Sequence, residues 1–103
     1  MSAAQLPDVT AAAALRRLLD LARGDTGQCS KAADFLLAWW NARSCGGWDL
    51  TDLWTVDRAI ADDMLAVAAF VAANHEYPNS YGLGAEFEAL VARWRPHLLT
   101  ELD

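Results

Sequence analysis

The stretch Phe35-Leu36-Leu37-Ala38-Trp39-Trp40 decides the fold of this chain. A helix-capping signal precedes it at Asp25–Gln28, and Gly46–Gly47 follows it as a stop. A helix with one dry face shows its apolar residues as a stripe, so a helix that is apolar nearly all round must be covered on most sides. The stretch therefore predicts a buried helix with other helices packed around it.

Length and composition predict one globular domain over residues 1–103, with residues 1–7 frayed. A chain of 103 residues is long enough to bury about two thirds of its unfolded surface in one core. Hydrophobic residues make up 54% and charged residues 21% of the chain, a balance that argues against disorder. No apolar run approaches the roughly 20 residues of a membrane span, and the start lacks a signal-peptide pattern. We therefore expect a cytoplasmic protein without a membrane partner.

Caps and hydrophobic spacing predict an all-α fold, a compact bundle of four main helices with a central apolar second helix. We expect helix three to pack along helix two. The predicted helices run over Asp8–Arg23, from the cap at Asp25–Gln28 to Asn41–Arg43, from Asp49 onward, and over Ala85–Trp94, with one further turn after Pro96. A break near Thr55 would separate Leu50–Trp54 as a short turn.

Helix three has the clearest hydrophobic pattern. Apolar residues recur at spacings of three and four: Leu53, Val56, Ile60, Met64, Val67 and Val71. A second apolar row runs beside this seam, so one face meets either helix two or another copy of the chain. Aromatic residues near the start of the helix are suited to anchor such a contact. The predicted protein interface consists of Trp48, Leu50, Trp54, Ala61, Leu65 and Ala68.

The charge of the chain disfavours direct nucleic-acid binding. Fourteen acidic residues outnumber eight basic ones, the net charge is −6, and the basic residues are dispersed. Aspartates concentrate at positions 49, 52, 57, 62 and 63, which raises the alternative of a DNA mimic. On a helix these positions form no single stripe, and helix capping or pairing with arginines such as Arg58 or Arg43 explains them more simply.

No catalytic, cofactor or metal site stands out, and we expect no enzyme. There is no Gly-rich phosphate loop, nucleophile elbow or metal-binding helix motif. His75 and His97 are the only side chains that ordinarily titrate near neutrality. Cys29 and Cys45 have no neighbours at zinc-ligand spacing and would lie about 20 Å apart along a helix. We therefore expect two separate thiols.

The end of helix two offers one alternative site. Asn41 and Arg43 directly follow two tryptophans, and nearby aspartates would satisfy them in a purely structural role. The alternative is a small ligand pocket lined by Trp40, Asn41, Trp48 and Asp49.

Four strings resemble a known family: Phe35-Leu-Leu-Ala-Trp-Trp-Asn41, Gly46-Gly-Trp-Asp-Leu-Thr-Asp-Leu-Trp54 with Val56-Asp57, Tyr77-Pro78, and Trp94-Arg-Pro96. They resemble short proteobacterial proteins of unknown function associated with plasmids and integrated elements. The resemblance covers Leu18–Pro96 and supplies no catalytic or binding residues. It implies a mobile-element accessory protein that binds another protein, or an inhibitor of a host defence complex such as an anti-CRISPR.

These observations lead to three functional hypotheses. The first is a non-enzymatic helical protein-interaction module that forms a homodimer through helix three, and it predicts an exposed apolar patch. The second is an acidic inhibitor of a host nucleic-acid-binding complex, which predicts clustered exposed carboxylates. The third is a small ligand-binding protein or enzyme, which predicts an enclosed pocket with converging polar groups.

Overall fold

Helices and the loops between them make up the computed structural model, which describes residues 6–102 and contains no strand in that range. The α-helices are α1 (Val9–Ala22), α2 (Gly27–Cys45), α3 (Arg58–Ala73), α4 (Gly84–Trp94) and the short α5 (Pro96–Leu102). Two 3₁₀ helices, Leu50–Trp54 and Pro78–Tyr81, precede and follow α3. The predicted all-α fold with four main helices is confirmed. The helical conformation is interrupted at Thr55, as predicted, so that Leu50–Trp54 is separate from α3.

Local side-chain caps set the first two helix starts. The Asp8 carboxylate accepts a hydrogen bond from the Ala11 backbone N–H at 3.0 Å. Thr26, rather than Asp25, caps α2, because its hydroxyl oxygen accepts from the Cys29 N–H at 3.3 Å. Such caps satisfy N–H groups that have no partner within the helix. The predicted starts of these helices therefore lie close to the observed ones.

The helix α1 lies between α2 and α3. It packs closely against both, whereas α2 and α3 touch each other only slightly. The buried face of α1 is made of alanine and leucine: Ala11, Ala14, Leu15, Leu18, Leu19 and Ala22. The expectation that helix three packs along helix two is wrong. A hydrophobic pattern shows that a face is covered, but it does not show which helix covers it.

The buried face of α3 is turned slightly from the predicted seam. Ala61, Met64, Val67 and Phe70 are buried, while Ile60 and Val71 are half-buried. Phe70 was absent from the predicted seam, and its ring lies 5.6 Å from that of Tyr81. The loop after α3 therefore covers a side of the helix that spacing alone left open.

The predicted buried stretch of α2 is buried in the structure. Phe35, Leu36 and Leu37 belong to the core, and α2 contacts α4 as well as α1. Phe87 of α4 is fully buried between two tryptophans of α2. The Trp40 ring stacks on it at 5.6 Å and the Trp39 ring meets it edge-on at 5.8 Å. Both tryptophans therefore stabilise the packing of α2 against α4.

The end of α4 is tied to the ends of α1 and α2. The Trp94 indole N–H donates to the Ala22 carbonyl at 2.8 Å, and Arg93 donates to the Gly24 carbonyl. Arg95 donates to the Cys45 carbonyl at 2.8 Å and to Asp34 at 2.6 Å. Carbonyls at helix C-termini lack partners within the helix, so donors placed there are stabilising.

The predicted frayed start is also corrected in part. Leu6 is only 6% exposed and belongs to the hydrophobic core. Residues 1–5 lie outside the described residues, as does Asp103.

Candidate functional site

The predicted interface residues divide into two groups. Leu50, Trp54 and Leu65 are 64%, 83% and 51% exposed, respectively. Ala61 is buried in the core of its own chain, so it cannot contribute open surface, and Ala68 is half-buried against that core. The interface itself stays a prediction, and the structure leaves three of its six residues as exposed apolar surface.

Trp48 is partly buried instead of standing at the surface. Its ring lies 4.7 Å from that of Phe35 in an edge-to-face arrangement. Its indole N–H is enclosed and has no hydrogen-bond acceptor within residues 6–102. Trp48 therefore packs against α2 of its own chain through Phe35.

The outward side of α3 carries a regular row of exposed residues, which we call the outer seam. The outer seam consists of Arg58, Asp62, Leu65, Ala69 and Ala72, spaced alternately four and three residues apart. This spacing is the one by which two helices pack along each other, and alanines allow a close approach. Arg58 and Asp62 form an exposed ion pair at 3.1 Å within the chain.

A second surface lies where α2 bends. Asn41 has an extended backbone conformation (φ −167°, ψ 84°), which interrupts the helix directly after Trp40. Its side-chain oxygen accepts a hydrogen bond from the Ser44 N–H at 3.2 Å, as a cap for the last turn. Asn41 is therefore the residue at which the buried part of α2 ends and the exposed last turn begins.

The bend opens a groove of about 750 Å³, which we call the kink groove. Two alanines line it together with Trp39, Trp40, Asn41, Arg43, Val71 and Tyr77. The groove is open to solvent and thus differs from the enclosed pocket that the hypothesis of a ligand-binding protein or enzyme predicts.

The predicted pocket was therefore placed only partly correctly. Trp40 and Asn41 do line a groove, whereas Trp48 and Asp49 are not among its lining residues. Asp49 instead caps the following 3₁₀ helix, and hydrogen bonds from the hydroxyl and N–H of Thr51 lower the pKa of its carboxyl group. Val71 and Tyr77 come from distant positions in the chain, and sequence reasoning missed both.

One hydrogen bond joins the two sides of the kink groove. The Trp39 indole N–H donates to the Glu76 carbonyl at 3.0 Å, and Glu76 precedes Tyr77. The Glu76 carboxylate accepts from the Ser80 hydroxyl at 2.8 Å. These bonds hold the loop after α3 against α2, so the groove belongs to the packed body of the protein.

The charges around the kink groove are unusual for this acidic chain. Six of the seven arginines form side-chain hydrogen bonds or ion pairs: Arg16, Arg17, Arg23, Arg58, Arg93 and Arg95. Arg43 forms none with any residue of the described range, and none of the residues lining the groove is a carboxylate. The pairing of Arg43 with nearby aspartates that the sequence suggested is not found.

The clustered aspartates are largely engaged. Asp62 pairs with Arg58, and Asp63 pairs with Arg17 at 2.9 Å. Asp57 precedes α3 but its carboxylate makes no capping hydrogen bond; it accepts from the Gln28 side-chain N–H₂ at 3.4 Å. Capping by Asp49 and arginine pairing of Asp62 and Asp63 therefore agree with the prediction, whereas within residues 6–102 Asp57 neither caps α3 through its side chain nor pairs with an arginine.

The two cysteines are buried, whereas the two histidines are exposed. Cys29 and Cys45 are both buried thiols, and burial raises the pKa of Cys45. The His75 ring nitrogen lies 3.2 Å from the Ala72 carbonyl, and His97 is exposed. In the part of the chain that the structure describes, no group of three histidine, cysteine or acidic residues is arranged to hold a metal.

No helix within residues 6–102 is both long and apolar enough to cross a membrane.

Comparison with known proteins relates this chain to a protein family. No curated protein and no solved structure matches the chain. The model of a family of unknown function, DUF7673, matches residues 12–95, a range that begins within α1 and extends just past the end of α4. The chain therefore belongs to this family of unknown function.

Proposed function

We propose that this protein is a non-enzymatic protein-interaction module that pairs with a second copy of itself through the outer seam of α3. The observation that carries the proposal is the helix-pairing spacing of this exposed seam, in which Leu65 is 51% exposed. Apolar surface that continues along an exposed helix face is typical of interaction sites.

The outer seam is complementary to itself. Two-fold symmetry brings the same surface of both copies together, so the seam must offer both halves of each contact. An antiparallel pairing centred on Leu65 would bring the two Leu65 side chains together. It would also place the small residues Ala69 and Ala72 of each copy opposite the longer side chains of Asp62 and Arg58 of the other.

The origin and compartment belong to the same proposal. The sequence resemblance supports a bacterial accessory protein of a mobile element, acting in the cytoplasm without direct contact with nucleic acid or membrane. The acidic-inhibitor hypothesis has weaker support, because Asp62 and Asp63 are each neutralised by an arginine of the same chain.

Size-exclusion chromatography with light scattering tests the pairing. The wild type should run at twice the chain mass of 11.2 kDa, and Leu65→Glu should run as a monomer because it places a charge at the centre of the seam. Val9→Glu is the matched control, since Val9 is 81% exposed and lies on α1. A monomeric wild type, or a Leu65→Glu variant that stays dimeric, would refute self-association through α3.

A further inference from the structure

We propose that the kink groove is a second binding site, which takes an apolar side chain next to a carboxylate on a short segment of a partner protein. This site is distinct from the outer seam, because its α3 residue, Val71, is half-buried on the side of the helix turned towards the core. The proposal therefore does not depend on the proposed dimer.

The walls of the kink groove favour an apolar side chain. Trp39 and Trp40 are held rigidly by their contacts with Phe87, and Trp39 is fixed further by its bond to the Glu76 carbonyl. Tyr77 is 65% exposed and faces solvent. Rigid aromatic rings that remain accessible are the residues that most often dominate binding at protein interfaces.

The charge of the kink groove specifies a carboxylate. Arg43 has no partner in the described range, while every other arginine of this acidic chain has one. The Asn41 side chain uses its oxygen for Ser44, which leaves its N–H₂ group available as a further donor. A guanidinium group and an amide N–H₂ together bind the oxygens of a carboxylate well.

A neighbouring groove differs from the kink groove in the charge of its lining residues. That groove, of about 430 Å³, shares Trp40 and Asn41 with the kink groove but also contains Glu88. A carboxylate ligand would be repelled there, so of these two grooves it is the kink groove that has the complementary charge.

The open shape of the kink groove favours a protein segment over a small molecule. Small-molecule sites usually enclose most of their ligand, whereas an extended peptide can gain contacts along an open surface. A single arginine in a chain with a net charge of −6 is poorly suited to nucleic acid, which is bound through several clustered basic groups.

Selection of peptides tests the proposal. A phage library of random linear peptides is screened against the wild type, against Arg43→Glu, and against Arg23→Glu, a matched control that lies outside both the kink groove and the outer seam. Wild type and Arg23→Glu should select the same motif, an aspartate or glutamate beside an aromatic or aliphatic residue. Arg43→Glu should lose this motif, because the variant places a negative charge at the groove.

The selected peptide, made synthetically, then locates the site. Each of the five tryptophans gives one indole N–H signal in a ¹H–¹⁵N spectrum, and single Trp→Phe variants assign the signals. The peptide should shift the signals of Trp39 and Trp40 and leave that of Trp54 in place. Its affinity should fall at least about fivefold in Arg43→Glu and stay unchanged in Arg23→Glu.

Four results would overturn the proposal. They are a screen that enriches no peptide, a motif without an acidic residue, equal affinity for wild type and Arg43→Glu, and a shift of the Trp54 signal alone. Binding of a single-stranded oligonucleotide that shifts the Trp40 signal would assign the groove to nucleic acid instead. A monomeric wild type leaves all these expectations in place, so failure of the proposed dimer is distinguishable.

Discussion

Replacing Arg95 by methionine should markedly destabilise the fold. The guanidinium group of Arg95 donates to the Asp34 carboxylate at 2.6 Å and to the Cys45 carbonyl at 2.8 Å. It thereby joins the start of α5 to two points on α2. A third bond, at 3.0 Å, runs to the carbonyl of the neighbouring residue Trp94. Methionine keeps much of the apolar stem, so the change removes mainly these three hydrogen bonds and the charge.

The magnitude follows from the exposure of the partners. Loss of a hydrogen bond to a charged group costs about 1.5–3 kcal/mol when the partner stays buried. The side chains of Arg95 and Asp34 are 20% and 32% exposed, so water would replace part of the lost interaction. We therefore expect the free energy of unfolding to fall by about 2 kcal/mol, out of a total of about 5–15 kcal/mol for a domain of this size.

Urea unfolding followed by tryptophan fluorescence measures this change. With a slope of about 1–1.5 kcal/mol per M, the midpoint should fall by roughly 1.5 M. Arg23→Met is the control, because Arg23 lies 3.9 Å from Asp20 and both side chains are more than half exposed. Its midpoint should change by less than about 0.5 M. Equal shifts for the two variants would refute the role assigned to Arg95.

Two further predictions concern the aromatic core. Phe87→Leu should lower the free energy of unfolding by about 1–2 kcal/mol in urea titrations and should change the near-UV circular dichroism, because the Phe87 ring contacts both Trp39 and Trp40; an unchanged spectrum would contradict this packing. Burial, and secondarily the charge of Glu76, raise the pKa of Tyr81. Since its folded-state pKa lies above the unfolded value, the stabilisation present below about pH 10 is lost as the pH rises through the folded-state pKa. Tyr81→Phe should therefore lose less thermal stability between neutral and alkaline pH than the wild type, and equal losses would count against this assignment.

The sequence alone determined the helical elements and much of the core. Asp8 and the Asp25–Gln28 signal marked helix starts, and Pro96 marked the boundary between the last two helices. The burial of the Phe35–Leu37 stretch also followed from its composition. These features depend on residues within a few positions of each other, so a local pattern was sufficient to predict them.

The candidate site was only partly predictable. Trp40 and Asn41 were identified as lining a pocket, because polar residues after a buried aromatic helix need partners. Val71 and Tyr77 were not identified, since they reach the kink groove only through the folding of the chain. The absence of a side-chain partner for Arg43 within residues 6–102 is likewise a property of the folded chain, because it depends on where the carboxylates of other helices lie.

Only the tertiary structure decided how the helices are arranged. The hydrophobic pattern showed that α3 has a broad apolar surface, but packing placed it along α1, buried Ala61 and left Leu65 exposed. The position of Arg95 at the end of α2 was likewise not visible in the sequence. The reason is that hydrophobic attraction is non-directional: it requires that an apolar face be covered, and the shapes and connections of the whole chain determine which surface covers it.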